Sequence, residues 1–470
     1  MDVEQNSANT HSVIAHNWRQ EARALLVLGL PMAATQFVSY FIYTIDILMI
    51  SRISAEDVAA AGLALIVNFL LWMVGSGPVM AVTPLVAQAL GKENPDYTDI
   101  RHSVRMALWL IVALLPILAI VIYFMVPIAT LLGQDIDIAI KAQRYMAVLA
   151  IGWPFMLMIM ALRNFLATLN KTTVPFLLII FTTALNALFN YILIFGKFGA
   201  PRLELIGAGI ASTLATIITF AVFIAYINWD KSARQFDLFK NWYKPDWVRF
   251  KQVVKLGWPI SIANIFEGML FNAGLLLMGV IGVIEMAAYQ IGLNVASSAF
   301  MIPWGLTMAG AVRIGHAAGA NDLVRAKRAA WVCVMLAAVM MSAMAIFIAL
   351  FPDVIATLYV GSDDENKNVK LFVMGFLPLA AGFMFFDAIQ VAANQLLRGL
   401  KDVRIPMVIT GISFWGVGFS VAYYLALKTE VGANGVWHGL TAGLISASVL
   451  LGGRLYYLLW QKQWLGQENS

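Results

Sequence analysis

The chain is written in long apolar runs, interrupted by short clusters of Gly, Pro and charged residues. Runs of this kind read as helices that cross a bilayer, because about twenty residues at 1.5 Å each cover its hydrocarbon core. Spanning β-strands would alternate polar and apolar over about ten residues, and these runs do not. Cutting at the punctuation predicts twelve spans, over 22–50, 58–88, 103–131, 141–168, 172–197, 205–228, 253–280, 287–317, 328–358, 366–398, 403–427 and 432–461. Several exceed the crossing length, so tilt or protrusion is expected.

Loop charge orients the spans. One set of loops carries Lys92 and Arg101, Lys171, six Lys or Arg within 229–252, then Arg325, Lys327 and Arg328, and finally Lys401 and Arg404. The opposite set has Arg52, Lys197, Arg202 and Lys428, with an acidic stretch over Gly361-Ser-Asp-Asp-Glu365. Basic loops stay on the cytoplasmic side, so both termini are expected there. The polar N-terminal segment, 1–21, lacks the basic-then-apolar pattern and small-residue cleavage site of a signal peptide, so the first helix is expected to be retained.

Composition agrees and narrows the function classes. The chain is 61% hydrophobic and 12% charged, with mean hydropathy +0.80, far from a soluble domain's usual quarter charged residues. Its net charge of +5 is spread over short loops, with no basic stripe of interleaved aromatics, so nucleic acid is not an expected partner. The one cysteine, Cys333, excludes an intrachain disulfide, and the five histidines show no metal-ligand spacing.

The sequence repeats itself about the loop 229–252. Leu28-Gly29-Leu30-Pro31 recurs as Leu256-Gly257-Trp258-Pro259, and at the same offset Asp57-Val58-Ala59-Ala60 meets Glu285-Met286-Ala287-Ala288. Later, Asn164-Phe-Leu-Ala-Thr-Leu169 matches Gln395-Leu-Leu-Arg-Gly-Leu400. Six helices return the chain to its starting side, so the halves run parallel about an axis along the membrane normal, an arrangement common in transporters. The expectation is an all-α polytopic membrane protein: a cytoplasmic segment 1–21, an N-lobe 22–228, a cytoplasmic loop 229–252, a C-lobe 253–461 and a cytoplasmic tail 462–470.

Three acids fall inside spans: Asp46, Glu267 and Asp387. None has an acidic mate in the other half, which weakens the view that they are needed for packing. Each charge at a helix centre costs roughly 2.5–3.5 kcal/mol, so each acid must be protonated, paired or facing water. An interhelical ion pair, for instance with Arg163, is the structural alternative. Asn186 and Asn190, four apart on one helix face, join Asp46 in an oxygen-rich set that suits Na⁺ or a proton held on the acid. Gln290, Gln390 and Asn394 are similar intramembrane amides, and abundant aromatic and Met residues could line an adaptable pocket for flat lipophilic cations.

The chain resembles the multidrug and toxic-compound extrusion (MATE) family, in its NorM-like bacterial branch. The resemblance rests on the two LGxP helix starts, Thr44-Ile-Asp46, Asn186 and Asn190 followed by Tyr191-Ile-Leu-Ile-Phe-Gly196, Phe266-Glu267, Tyr289-Gln290-Ile-Gly-Leu-Asn294, and Asp387-Ala-Ile-Gln-Val391 with Leu397-Arg-Gly-Leu-Lys-Asp402. It implies two pseudo-symmetric six-helix lobes, no enzymatic activity, no cofactor, and exchange of organic cations outward for Na⁺ or H⁺ inward across a bacterial cytoplasmic membrane. The implied coupling residues are Asp46, Asn186, Asn190 and Thr213 in the first lobe, with Glu267 and Asp387 in the second. Na⁺ would sit at Asp46, Asn186 and Asn190, or at Glu267 and Asp387. Gln290, Gln390, Phe266 and Tyr289 are the expected substrate-cavity residues. Lipophilic cationic drugs and dyes and membrane lipids are the expected partners of a functional monomer. A lipid-linked oligosaccharide flippase of the same broad superfamily is the alternative, although its pyrophosphate would call for cavity cations where these spans offer acids.

Overall fold

The computed structural model describes residues 17–361 and 367–461. Twelve of its helices are long and apolar enough to cross a membrane: α1 (Trp18–Ile50), α2 (Ala55–Gly91), α3 (Tyr97–Tyr123), α4 (Ile136–Thr168), α5 (Thr173–Phe195), α6 (Glu204–Trp229), α7 (Trp247–Ile281), α8 (Val283–Gly319), α9 (Leu323–Leu350), α10 (Lys367–Gly399), α11 (Arg404–Lys428) and α12 (Asn434–Gln461). No strand occurs among the described residues. The chain is therefore an all-α, multi-pass membrane protein. His11, His16 and the acidic stretch from Ser362 to Glu365 lie outside the described residues, as do 1–16 and 462–470.

Proline and capping chemistry move several boundaries from their expected places. The span expected over 103–131 stops at Tyr123, and Met125–Leu131 is a helix of its own beyond Phe124. The span expected to reach 358 ends at Leu350, because Phe351 leaves helical geometry (φ −122°, ψ 45°) ahead of Pro352. Proline crowds a helical residue before it, so the break falls there. Helix α7 starts earlier than expected, at Trp247, where the Asp246 side chain accepts from the Arg249 amide at 3.0 Å and caps it.

That early start shortens the central connection to 230–246, and the connection is tied down. Arg101 donates to the Phe236 carbonyl at 2.9 Å, Arg105 to those of Lys240 and Asn241 at 2.9 and 2.7 Å, and the Trp109 indole to that of Trp242 at 3.1 Å. Lys171 pairs with Asp230, Arg249 with Asp99, and His102 meets Asp246 at 2.7 Å. Residues that read from sequence as orientation markers thus also hold a strap.

The chain forms two compact units, and they do not divide at 229–252. One comprises Thr35–Leu90 and Asn94–Ile262; the other comprises residues up to Ala34, Gly91–Glu93 and the chain from Ala263. Each holds five whole spanning helices plus part of α1 and part of α7. Pro31 and Pro259, the twin prolines of the repeat, sit a turn before the division in each helix, where a missing amide hydrogen weakens the ladder.

Glycines explain how those helix starts are seated. A Cβ on Gly305 of α8 would come within 2.3 Å of the Ala33 backbone in α1. Its twin, Gly77 of α2, would come within 2.1 Å of the Gly257 carbonyl oxygen in α7. Only glycine permits backbones this close. The start of α1 is further anchored by Glu21, buried at 1% exposure, which accepts from both Arg313 Nε and, at 2.8 Å, Arg313 Nη2 on α8. Sequence reading left Glu21 in the polar N-terminal segment.

Candidate functional site

In the unit built around α2–α6, two helices bring polar side chains onto Asp46 of α1. Asp46 lies in the last turns of α1, Asn186 and Asn190 lie one turn apart on α5, and Ser212 lies on α6. Asn190 Nδ2 donates to Asp46 Oδ1 at 2.6 Å and to Asn186 Oδ1 at 3.2 Å. Asn186 Nδ2 donates to Ser212 Oγ at 2.9 Å, and Ser212 Oγ donates to Asp46 Oδ2 at 3.3 Å. The ring of donors fixes both amide orientations, since reversing either would oppose like groups. One atom is left over. Asn190 Oδ1 is buried and has no hydrogen-bond partner among the described residues.

Thr213 is placed differently from its expected role. Its hydroxyl donates to the Val148 carbonyl at 3.0 Å, joining α6 to α4, while its neighbour Ser212 takes the place on Asp46. Adjacent residues on a helix point about 100° apart, so only one of the two can face the acid. Sequence alone had no means of choosing the register, because both residues are hydroxylic. Arg163 gives its hydrogen bond to Gln36 Oε1 at 2.6 Å, tying α4 to α1.

The second unit carries a polar stripe along α10. Asp387, Gln390, Asn394 and Arg398 recur at three- and four-residue steps, so they share one face, and all four are buried. Asp387 Oδ1 and both amide atoms of Gln390 have no hydrogen-bond partner among the described residues. Arg398 Nη2 donates to Asn264 Oδ1 at 2.8 Å on α7, one turn before Glu267. Glu267 stands within electrostatic reach of both Arg398 and Asp387. Glu267 thus stands between a guanidinium and a second carboxylate. Asn264 was not singled out from sequence, and Arg398, the base nearest Asp387 in sequence at about three turns, continues the stripe one turn beyond Asn394.

Aromatic residues close the stripe on one side. Phe271, a turn beyond Glu267, meets Phe383, a turn before Asp387, with ring centroids 6.0 Å apart and edge to face. Phe266 is pressed against Gly411 of α11, and its carbonyl accepts from the Trp415 indole at 3.3 Å. That contact falls at a π-helical stretch of α11, Ile412–Phe419, a geometry that recurs at functional sites. Of the expected cavity residues, Tyr289 and Gln390 are fully buried, and Tyr289 packs against Trp437 while donating to the Phe271 carbonyl at 3.1 Å. Gln290, about 100° round α8 from Tyr289, is exposed.

Among the described residues, no three His, Cys, Asp or Glu side chains converge as a metal cluster. The chemistry available is instead one carboxylate with amide and hydroxyl oxygens in the first set, and a carboxylate pair with amides and a guanidinium in the second. Either can receive a single weakly held cation or a proton.

Comparison with known proteins follows the same outline. The pattern of the MatE family matches residues 31–192 and again 259–424, once in each half of the repeat. A protein of Rhizobium meliloti (strain 1021) named "Probable multidrug resistance protein NorM" is 38% identical over 445 residues, covering 94% of this chain and 95% of its own. One of the same name from Bradyrhizobium diazoefficiens is 35% identical over 453 residues, covering 96% and 97%. The crystal structure of the eukaryotic MATE transporter AtDTX14 superposes with a TM-score of 0.82 at 21% identity, covering 95% of this chain and 98% of that one. A MATE structure in complex with MaL6 gives 0.84 at 18% identity, covering 93% and 97%.

Proposed function

The chain belongs to the MatE family, in its NorM-like branch, and on that premise we propose that it is a multidrug efflux antiporter. It carries lipophilic organic cations outward across a bacterial cytoplasmic membrane, with both termini inside, in exchange for Na⁺ or H⁺. The family is one of transporters, and no bond is made or broken in this cycle.

The observation that carries the reading is that each intramembrane acid site keeps an orphaned acceptor among the described residues. Asn190 Oδ1 beside Asp46, and Asp387 Oδ1 beside Glu267, are buried oxygens that meet no donor. A buried acceptor left unmet costs about 1–3 kcal/mol, so a site keeping one is built for something that comes and goes. A cation or a proton is the visitor such oxygens suit.

In the proposed cycle, an ion arriving from outside neutralises the carboxylates and loosens the bound organic cation. The neutralised protein turns inward, the ion leaves to the cytoplasm, and the recharged site accepts the next substrate. The membrane potential drives the inward charge by about 2.3 kcal/mol per 100 mV. The Phe271–Phe383 pair beside the second acid pair offers the aromatic surface that a flat cation prefers.

Accumulation of ethidium in cells with and without the expressed chain tests this reading. Expression should lower steady-state accumulation, and collapse of the ion gradients should abolish the difference. Equal accumulation with and without the chain, for ethidium and a panel of other lipophilic cations, would contradict efflux.

A further inference from the structure

Cation–π pairs are confined to one corner of the molecule. Among the described residues there are three: Lys327 over Trp460 at 5.6 Å, Arg328 over Trp18 at 5.9 Å, and Arg454 over Tyr457 at 5.7 Å. All lie where the first turns of α1 and α9 and the last turns of α12 come together, at the end of the bundle that carries the basic loops.

The rings there are held, not merely scattered. Trp460 is stacked on Tyr456, with centroids 5.4 Å apart and planes 8° from parallel. Trp331 meets it edge-on at 6.2 Å. Lys327 lies one helical turn before Trp331, so its ammonium, its neighbour's indole and the Trp460 face form one surface. Arg454 is already engaged by Asp402 at 2.8 Å, whereas no carboxylate among the described residues lies within ion-pair distance of Lys327.

The surface continues into the bilayer. Trp331, Met335, Val339 and Ile346 are exposed at helical spacing along α9, a stripe that in a spanning helix faces acyl chains. A charged lip at headgroup level with an apolar stripe running from it matches one kind of molecule. We propose that this corner binds the phosphate of an anionic phospholipid of the cytoplasmic leaflet, with Lys327 and Arg328 as phosphate ligands positioned by Trp460 and Trp18. An ordinary aromatic belt anchors a helix without regard to headgroup. Here the rings orient cations, so the site discriminates by charge.

Native mass spectrometry of the purified chain tests this, with phosphatidylglycerol and phosphatidylcholine of identical acyl chains added in equal amounts. The wild type should retain phosphatidylglycerol in preference. The K327Q/R328Q variant should retain it about 30-fold more weakly, two charges each losing the usual attraction to anionic lipid. K327R, which keeps the charge, should retain it as the wild type does, and W460L should weaken it with both charges present. Equal retention of the two lipids by the wild type, or undiminished phosphatidylglycerol on K327Q/R328Q, would overturn the proposal. Should K327Q/R328Q fail to fold, the headgroup preference of the wild type and the contrast between K327R and W460L decide it.

Discussion

Asn190 Nδ2 lies 2.6 Å from Asp46 Oδ1, and its own carbonyl oxygen, equally buried, meets no donor. One side chain therefore holds the acid and offers an acceptor beside it. Asn190→Leu keeps the volume and removes both functions. It should weaken apparent ion affinity about 10- to 100-fold, the usual range for a hydrogen bond to a buried charge. Ion-concentration dependence of dye transport in liposomes measures this; an unchanged half-saturation would separate Asn190 from ion binding.

Ser212 and Thr213 should part company under substitution. Ser212→Ala removes the second donor on Asp46 and should shift the ion dependence of transport. Thr213→Val removes the bond to the Val148 carbonyl and should cost about 1 kcal/mol of stability with the ion dependence intact. Parallel melting curves and transport titrations distinguish the two; the reverse pattern would return the role to Thr213.

Gln390 buries two amide atoms with no partner, so replacing it by an apolar side chain of similar size should relieve the cost. Gln390→Leu is expected to raise stability by about 1–3 kcal/mol while impairing coupled transport. A variant that is both destabilised and fully active would show that Gln390 serves packing alone.

Much of this was legible in the sequence. Apolar run length gave the twelve spans, and the LGxP repeat gave the two stretches that the MatE pattern matches separately, because both depend on local sequence. The acids and α5 amides were legible because charge and amides are rare in hydrocarbon. What escaped depends on long-range packing. Glu21 looked like a polar flank, and only its seat against Arg313 makes it core. The division of α1 and α7 between units, and the choice of Ser212 over Thr213, turn on helix rotation and approach that periodicity does not encode.

The Glu21–Arg313 pair tests the packing side of the fold. Removing one partner leaves a buried charge alone, so Glu21→Gln should destabilise by about 3–5 kcal/mol. Replacing both, as Glu21→Leu with Arg313→Met, should recover most of that loss. Thermal unfolding of Glu21→Leu, Arg313→Met and the double variant in detergent reads the coupling, and additive losses would mean that the pair does not act as a unit.

Asp230 should not contribute to the pH dependence of transport. Partial burial pushes Asp230 up, but Lys171, Ser232 and the Ala233 amide outweigh it and hold the carboxyl at about 2. A depressed carboxyl stabilises fully above its unfolded value near 4 and loses that contribution as pH falls through about 2. Limited proteolysis at the Asp230 end of the connection should accordingly be flat from pH 5 to 8, and a rise there within that range would contradict it.

The most direct test of antiport is to record dye release and ion uptake in the same liposomes, with a Na⁺ gradient alone and then a pH gradient alone. The expected result is ion entry in step with dye exit under at least one gradient, and loss of that linkage in Asp46→Asn and Asp387→Asn. Dye movement that proceeds without ion flux, or variants that stay coupled as the wild type does, would contradict it.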